Sequence, residues 1–194
     1  VRGDPQPGVK NFIPEPDGNT YSLDTVKQVA DLNKGIYLDP TIRNTRSTNF
    51  CIGVPGYPEK HSESPNIDSD LYFLKKKVEA GAEFIVTQMF FDNQKYFDFV
   101  KLCREKGINI PIIPGLKPIS TRNQIVNIPK TFSVDVPSDL VKEVIKCKNN
   151  DEVKQVGIEW GIAQSKELKA AGVPVLHYYT MGDSKTIRAI VEKI

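Results

Sequence analysis

The fold class is clearest from residues 83–92, which are Glu83-Phe84-Ile85-Val86-Thr87-Gln88-Met89-Phe90-Phe91-Asp92. From Phe84 to Phe91 this is an apolar run broken only by Thr87 and Gln88. Such a run is typical of a strand buried on both faces of a parallel sheet. A helical pattern lies on each side of it, and a parallel sheet is normally covered by helices. The stretch therefore predicts an α/β fold.

The same pattern of a short segment followed by a helix recurs elsewhere in the chain. The other segments are residues 1–5, 51–58, 110–118 and 173–182. Strands that alternate with helices through short turns predict βα units with right-handed crossovers. Neither a Gly-x-Gly-x-x-Gly fingerprint nor a phosphate loop follows any of these segments. That weakens a Rossmann fold and favours part of a (βα)8 TIM barrel.

The helical patterns begin at residues that are able to cap a helix or open its first turn. The candidate starts are Asp24, Asp68 or Ser69, Asp92 or Asn93, Ser120 or Thr121, Asp151 and Lys185. A short helix is expected within residues 132–150. Residues 33–49, rich in Asn, Thr and Arg, are expected to form a long excursion before the next strand.

Composition excludes several classes of protein. With 194 residues, 39% hydrophobic and 26% charged, the chain fits one globular domain with its own core. A net charge of +2 without a long basic run gives no reason to expect nucleic acid, and no apolar stretch predicts a membrane span. Cys51, Cys103 and Cys147 are too widely spaced for a structural zinc site or a disulfide framework, and only two histidines are present. No metal is expected, and a reducing, cytoplasmic compartment fits best.

Polar and aromatic residues stand at the strand ends, where α/β folds bind their ligands. A carboxylate at Asp4 is able to steer a cofactor's electronics or orient a substrate amine, although an Asp before Pro5 is also common in turns. Tyr57 and His61 lie near a helix N-terminus. They either hold a phosphate or a planar ring, or belong to an ordinary, partly buried loop.

Gln88 is the polar residue that most needs an explanation in the central strand. A buried amide without partners is unfavourable by roughly 1–3 kcal/mol. A structural network or a heteroaromatic ligand would both provide partners, and the position near the strand end favours the ligand. Gln124 is, on local evidence, a surface residue. Of Tyr178 and Tyr179, one is expected between strand and helix and the other at the mouth of the site.

Six ordered motifs carry a resemblance to a known family. They are Arg2-Gly3-Asp4-Pro5, Gly56-Tyr57-Pro58-Glu59-x-His61, Lys75-Lys76-Lys77-Val78-x-Ala80-Gly81-Ala82, Thr87-Gln88-x-Phe90-Phe91, Pro114-Gly115-x-x-Pro118 and His177-Tyr178-Tyr179-Thr180. Together with their spacings they resemble the methylenetetrahydrofolate reductase family, in its bacterial, FAD-dependent type. The resemblance implies that residues 1–194 form a single domain, the C-terminal portion of a (βα)8 flavin-binding barrel. The chain would supply about strands 4–8, with the N-terminal portion missing.

The resemblance also implies a reaction. It is the reduction of 5,10-methylenetetrahydrofolate to 5-methyltetrahydrofolate by NADH or NADPH, a ping-pong hydride transfer through FAD in one-carbon metabolism and methionine biosynthesis. A folate is the expected small-molecule partner, and homo-oligomer formation is left open. The family's general acid lies in its first strand, so it is expected outside this chain, and the chain alone is expected to be inactive. Two alternatives remain: a barrel enzyme that binds a phosphate-bearing substrate through Lys76 and Lys77, or a non-catalytic half-barrel binding module.

The family's site residues carry over position by position. Asp4 is implied to be catalytic, because it tunes the flavin and contacts the folate. The implied FAD-binding residues are Arg2, Gly3, Asp4, Tyr21, Ser22, Tyr57, His61, Ser64, Asp70, Lys76 and Lys77. The implied substrate-binding residues are Asp4, Gln88, Gln124 and Tyr179.

Three positions depart from the family pattern. Phe73 stands where some members have a polar FAD contact, and Ile128 replaces an aromatic residue that stacks on the substrates. Asp183 lies where some members carry a basic residue for the glutamate tail of the folate. That leaves Lys185 or Arg188 as substitutes.

Overall fold

A parallel sheet forms the centre of the computed structural model, which describes residues 14–194. Its strands are β1 (Gly53–Gly56), β2 (Phe84–Met89), β3 (Ile112–Leu116) and β4 (His177–Tyr178), side by side in that order. Each lies within a segment predicted from its apolar run, so the predicted α/β fold with a parallel sheet is confirmed. The predicted strand at residues 1–5 lies outside the described residues. The assignment to barrel strands 4–8 stays a prediction.

Helices alternate with these strands and cover the sheet. They are α1 (Ser22–Asn33), α2 (Ile67–Glu79), α3 (Asn93–Glu105), α4 (Gln124–Phe132), α5 (Ser138–Lys146), α6 (Asn150–Ala170) and α7 (Ser184–Val191). The short helix expected within residues 132–150 is α5. None of the helices between residues 14 and 194 combines the length and apolar character needed to cross a membrane.

Most helix starts lie within two residues of the predicted ones, and Asp92 caps α3 as predicted. The cap predicted for α2 is wrong. Asn66, rather than Asp68 or Ser69, is the N-cap, and its side-chain oxygen accepts the Ser69 backbone N–H at 2.9 Å. Asp68 lies inside the first turn, where its negative charge still complements the helix dipole.

The two faces of β2 differ in burial. Ile85 and Thr87 are fully buried, and Ile85 belongs to a core that includes Leu71 of α2 and Phe99 of α3. Phe84, on the opposite face, is only half-buried. The expectation of burial on both faces therefore holds fully for one face and partly for the other within residues 14–194.

A second core lies beyond the end of β3, between α4, α5 and α6. Ile128 of α4 is 4% exposed there and packs with Met89 and Phe91 from the end of β2. Its side chain thus fills the core. Trp160 of α6 donates its indole N–H to the Phe91 carbonyl at 3.0 Å and ties this core to the strand.

The excursion predicted at residues 33–49 is present and has no helix or strand between residues 34 and 49. Its two ends are joined by the Asn33 side chain. The Asn33 side-chain oxygen accepts from the Phe50 N–H and the Thr48 hydroxyl, both at 2.8 Å. Its amide group donates to the Phe50 carbonyl at 2.9 Å.

Candidate functional site

All four strands run in parallel, so their carboxyl ends lie along one edge of the sheet. Two groups of polar residues stand there. We name the first the β1–α2 cluster, formed by Tyr57, His61, Ser64, Asp70 and Lys77. The second, the β3–β4 pocket, has a volume of about 260 Å³, and the lining residues used below are Lys117, Ser120, Gln124, Tyr179 and Asp183.

Asp70 organises the β1–α2 cluster. Its carboxylate accepts the His61 backbone N–H at 2.5 Å and also the Ser64 hydroxyl. Because Asp70 lies in the first turn of α2, these bonds fasten the loop after β1 onto that helix. Three residues that the resemblance assigned to FAD binding are therefore brought together.

The aromatic part of the cluster is held in a defined orientation. The rings of Tyr57 and His61 meet edge to face, with centroids 4.6 Å apart. The Nδ1 atom of His61 accepts the Glu63 N–H at 3.1 Å, so the neutral imidazole carries its proton on Nε2. Lys60 adopts a left-handed backbone conformation (φ 91°), and its ammonium donates to the Ser64 carbonyl at 2.6 Å. These contacts hold the loop in a compact form.

Lys77 and Lys76 lie on different faces of α2. Lys77 is only 9% exposed and lies one turn from Leu74 on the buried face. Burial lowers the pKa of the Lys77 ammonium, and attraction to Asp70 offsets only part of that effect. Lys76 instead pairs with Glu79 at 2.9 Å on the exposed face. The structure thus brings Lys77, but not Lys76, to the cluster.

Other predicted FAD-binding positions lie apart from these contacts. Ser22 opens α1 and lines a groove of about 340 Å³ between α1 and β1. Tyr21 is largely exposed, and its backbone N–H donates to Asp24 at 3.2 Å. Phe73 lies on the exposed side of α2. Arg2, Gly3 and Asp4 lie outside the described residues, so their roles stay predictions.

Gln88 lies where the pairing of β2 with β3 becomes irregular, between Val86 and Met89. Its side chain is half-buried, and its oxygen accepts the Met89 backbone N–H at 3.0 Å. Local bonding therefore satisfies the acceptor of the amide. What the side chain can still offer a ligand is its NH₂ donor.

Tyr179 closes this irregular region. Its hydroxyl donates to the Thr87 carbonyl at 2.8 Å, and the Thr87 hydroxyl accepts the Gly115 N–H at 2.9 Å. A Cβ at Gly115 would overlap the Thr87 carbonyl and the Tyr179 ring, so only glycine fits. Burial raises the pKa of the Tyr179 hydroxyl. Tyr178 points the other way and shares a 2.7 Å hydrogen bond with Ser165 of α6, which confirms that the two tyrosines face opposite sides.

The predicted start of α4 at Ser120 or Thr121 is wrong, and Gln124 is the reason. The side-chain oxygen of Gln124 accepts the Ser120 N–H at 2.7 Å and the Thr121 N–H at 3.2 Å. Both residues are held in a turn ahead of the helix, which begins at Gln124. Gln124 is thus half-buried and lines the β3–β4 pocket rather than being an ordinary surface residue.

Two charged residues of this edge escaped the sequence reasoning. Glu59 has a side chain only 8% exposed, accepts the Asp135 N–H at 3.0 Å and lies 3.9 Å from the Lys95 ammonium. Burial is the main cause that raises the pKa of Glu59. Lys117 follows β3 directly and lines the β3–β4 pocket. The available signals were their places in the Gly56-Tyr57-Pro58-Glu59 and Pro114-Gly115-x-x-Pro118 motifs.

A family model and several curated relatives show the family of this chain. A family model described as methylenetetrahydrofolate reductase matches residues 1–194. Methylenetetrahydrofolate reductase 1 of Schizosaccharomyces pombe is 39% identical over 154 residues, covering 79% of this chain and 26% of that protein. Methylenetetrahydrofolate reductase (NADH) 1 of Arabidopsis thaliana is 35% identical over 201 residues, covering 98% of this chain and 32% of that protein. The bacterial 5,10-methylenetetrahydrofolate reductase of Buchnera aphidicola is 36% identical over 138 residues, covering 70% of this chain and 47% of that protein.

The chain spans between about a quarter and a half of the length of these relatives. A solved structure of an uncharacterized protein from Clostridium thermocellum, described as binding two copies of 5-methyl-5,6,7,8-tetrahydrofolic acid, has a TM-score of 0.47 and 15% identity. That match covers 73% of this chain and 51% of the other. A likeness of that degree carries no conclusion about this chain.

Proposed function

Because this chain belongs to the methylenetetrahydrofolate reductase family, we propose that it works in the reduction of 5,10-methylenetetrahydrofolate to 5-methyltetrahydrofolate by NADH or NADPH. The proposed partners are a folate and a nicotinamide dinucleotide, which use one site in succession. The proposal of a general acid outside residues 1–194, and hence of an inactive chain on its own, is part of the same hypothesis.

One observation carries this proposal. Tyr179 reaches across 92 residues of sequence to bond the Thr87 carbonyl, next to Gln88, and it shares a pocket with Gln124. The resemblance assigned these three residues, Gln88, Gln124 and Tyr179, to substrate binding from separate motifs. Their convergence at the ends of neighbouring strands supports a common ligand.

The chain's contribution would be binding and orientation. Gln88 and Gln124 both have their side-chain oxygens engaged by backbone N–H groups, so each offers an NH₂ donor. Such donors suit the ring nitrogens and carbonyl oxygens of a pterin or the carboxamide of a nicotinamide. Tyr179 adds an aromatic wall beside them.

FAD is the proposed cofactor, and when bound it supplies the redox group that passes a hydride from the nicotinamide to the folate. The β1–α2 cluster fits such a dinucleotide. Lys77 offers a buried positive charge, which an anionic group would compensate. The His61 Nε2–H and the ring pair of Tyr57 and His61 suit polar and planar parts of the cofactor.

The first experiment is spectroscopic. In the full-length enzyme that this hypothesis requires, we expect a flavin absorption band that NADH or NADPH bleaches and that 5,10-methylenetetrahydrofolate restores. A colourless preparation that binds a phosphate-bearing metabolite instead would favour the alternative barrel enzyme, since Lys77 would serve that ligand equally well.

Replacement of Gln88 by Ala in the FAD-loaded enzyme tests the proposed substrate site. Loss of one amide donor should slow folate reduction about 5- to 150-fold, while the FAD content stays that of the wild type. Gln94→Ala, an exposed glutamine of α3 that bonds Asp98, is the control and should behave as wild type. Loss of flavin together with unchanged folate kinetics in the remaining holoenzyme would refute the assignment.

A further inference from the structure

Among residues 14–194, Asp183 is the one carboxylate that lines the β3–β4 pocket, and its charge is balanced by an ion pair. Asp183 pairs with the Lys154 ammonium at 2.6 Å and caps α7 by accepting the Thr186 N–H at 3.2 Å and its hydroxyl at 2.7 Å. The bond from Lys154 is the main cause that holds the pKa of Asp183 well below its ordinary value. Asp183 therefore adds little net negative charge to the pocket.

Lys117 is the pocket's positive group, and it lacks a counterion in the described part of the chain. It is half-buried at the end of β3, between the buried Leu116 and the half-buried Pro118. Burial lowers the pKa of the Lys117 ammonium, and no carboxylate attraction opposes this. Among residues 14–194 no hydrogen bond or ion pair involves its ammonium group. A partly desolvated cation of this kind is unfavourable until a ligand supplies the opposite charge.

The Gln124 amide supplies a neutral donor beside this charge. Gln124 uses its oxygen for the Ser120 and Thr121 N–H groups, which leaves its NH₂ as the part able to meet a ligand. The Tyr179 hydroxyl donates its hydrogen bond to the Thr87 carbonyl and therefore has no free proton for a ligand. A positive charge beside an amide donor, with the local carboxylate neutralised, matches an anion.

We propose that Lys117 and the Gln124 amide bind an anionic group of a substrate, a carboxylate or a phosphate. The identity of that substrate rests on the proposed function: the glutamate tail of the folate carries carboxylates, and NADPH carries a phosphate that NADH lacks. The anion contact is thereby assigned to Lys117 rather than to Lys185 or Arg188. Both of those are exposed on α7, and neither lines the pocket.

Steady-state kinetics of the FAD-loaded enzyme distinguish the two sources of the anion. Lys117→Met keeps the length of the side chain and removes its charge. If the anion is the glutamate tail, the KM for 5,10-methylenetetrahydrofolate rises about ten- to hundredfold with kcat unchanged. The KM for the corresponding pteroate, which lacks the glutamate, should not change. If the anion is the dinucleotide phosphate, the KM for NADPH rises and that for NADH does not.

Two further variants complete the kinetic test. Lys130→Met removes an exposed lysine of α4 outside the pocket and should match wild type. Lys185→Met tests the competing position and should also match wild type. The proposal is overturned if Lys117→Met leaves every KM unchanged. It is also overturned if the KM for 5,10-methylenetetrahydrofolate and the KM for the pteroate rise by the same factor, or if Lys185→Met alone raises the KM in the same way.

A measurement without catalysis separates this proposal from the proposed function. Glutarate or inorganic phosphate should protect Lys117 from an amine-acylating reagent, measured by mass spectrometry, much more than either protects Lys130. Equal protection of the two lysines overturns the anion site, whatever the enzyme catalyses. Selective protection of Lys117 in a full-length protein that neither binds flavin nor reduces folate supports the anion site and rejects the proposed reaction.

Discussion

Two hydroxyl groups stand in for backbone hydrogen bonds where β2 pairs irregularly with β3. The Thr87 hydroxyl accepts from Gly115, and the Tyr179 hydroxyl donates to the Thr87 carbonyl. The peptide that precedes Gln88 is therefore held by side chains from two neighbouring strand ends. Tyr179 is in this respect a positioning residue for Gln88, in addition to any contact with a substrate.

Tyr179→Phe should test this role, because it removes the hydroxyl while keeping the ring. The Thr87 carbonyl would lose its donor, so the free energy of unfolding should fall by about 1 kcal/mol in denaturant titration. Folate kcat should fall with the FAD content unchanged, because Gln88 is held less firmly. Tyr72→Phe, at an exposed tyrosine of α2, is the control. An unfolding free energy equal to wild type would show that the hydroxyl does not hold this peptide.

Among the elements, α6 is the one whose close approach shapes the pocket. Gly157 of α6 lies directly against the chain that follows β3, and a Cβ there would overlap the Ile119 carbonyl oxygen. One turn later, a Cβ at Gly161 would come 2.7 Å from the end of the Ile190 side chain. The Ile119 carbonyl is backbone and cannot move without a large energetic penalty, whereas the end of the Ile190 side chain is flexible and can rotate away.

The two glycines form a matched pair for a stability experiment. Ala is favoured over Gly inside a helix by about 1 kcal/mol at either position. Gly157→Ala should nevertheless lower the free energy of unfolding by about 2 kcal/mol, because overlap with Ile119 pushes α6 off the sheet. Gly161→Ala should be close to neutral. Thermal and denaturant unfolding provide the measurement, and equal effects of the two changes would contradict the packing described.

The predictability of these elements follows from the range of the interactions that define them. The strands could be predicted because the apolar run from Phe84 to Phe91 is a local pattern, and Asp92 could be predicted as a cap for the same reason. The start of α4 could not, because Gln124 reaches back to bond two residues ahead of the helix.

In the candidate site, too, local motifs could be predicted from the sequence and contacts between different elements could not. The motifs singled out Gln88, Gln124, Tyr179 and most of the β1–α2 cluster, which the structure places at the strand ends, and the roles of these residues stay predictions. Burial of Lys77 but not Lys76 depends on how α2 packs, and three adjacent lysines carry no sign of which one faces inward. The exposure of Lys117 to a pocket depends on Gln124 and Tyr179, which come from other elements.

On the scale of the whole molecule, two cores meet at the end of β2. Phe90 belongs to the core between the sheet and α1–α3, and Phe91 to the core around α4–α6. Asn93 and Gln164 join the two through hydrogen bonds, including one of 3.1 Å from the Asn93 amide to the Gln164 carbonyl. Glu59 adds a second link across 76 residues of sequence, to the Asp135 N–H. The candidate site lies along this junction.

The Glu59 link predicts a dependence of stability on pH. Burial raises the pKa of Glu59 above the ordinary value of 4.5, so folding favours its protonated form. Its contribution to stability is full below about pH 4.5 and is lost as the pH rises through the folded-state pKa. Glu59→Gln keeps an acceptor for Asp135 but does not ionise. The variant should therefore gain stability relative to wild type between pH 4 and pH 7.

Urea unfolding at several pH values measures this difference. Glu105→Gln, at an exposed position near the end of α3, is the control and should show no comparable trend. The difference in unfolding free energy between Glu59→Gln and wild type should grow from pH 4 to pH 7. A constant difference, or one that changes in the opposite direction, would argue against a buried Glu59 with a raised pKa.

The hydrogen bonds from the Asn33 side chain to Thr48 and Phe50 have a practical consequence for engineering. Because one side chain ties both ends of the excursion together at Thr48 and Phe50, the geometry at its base does not depend on how many residues lie between. Doubling the length of such a loop adds only about 0.6 kcal/mol of closure entropy. Asn44 is exposed, adopts a left-handed conformation and precedes β1 in the chain, so it is a suitable place for an affinity tag or a fluorophore.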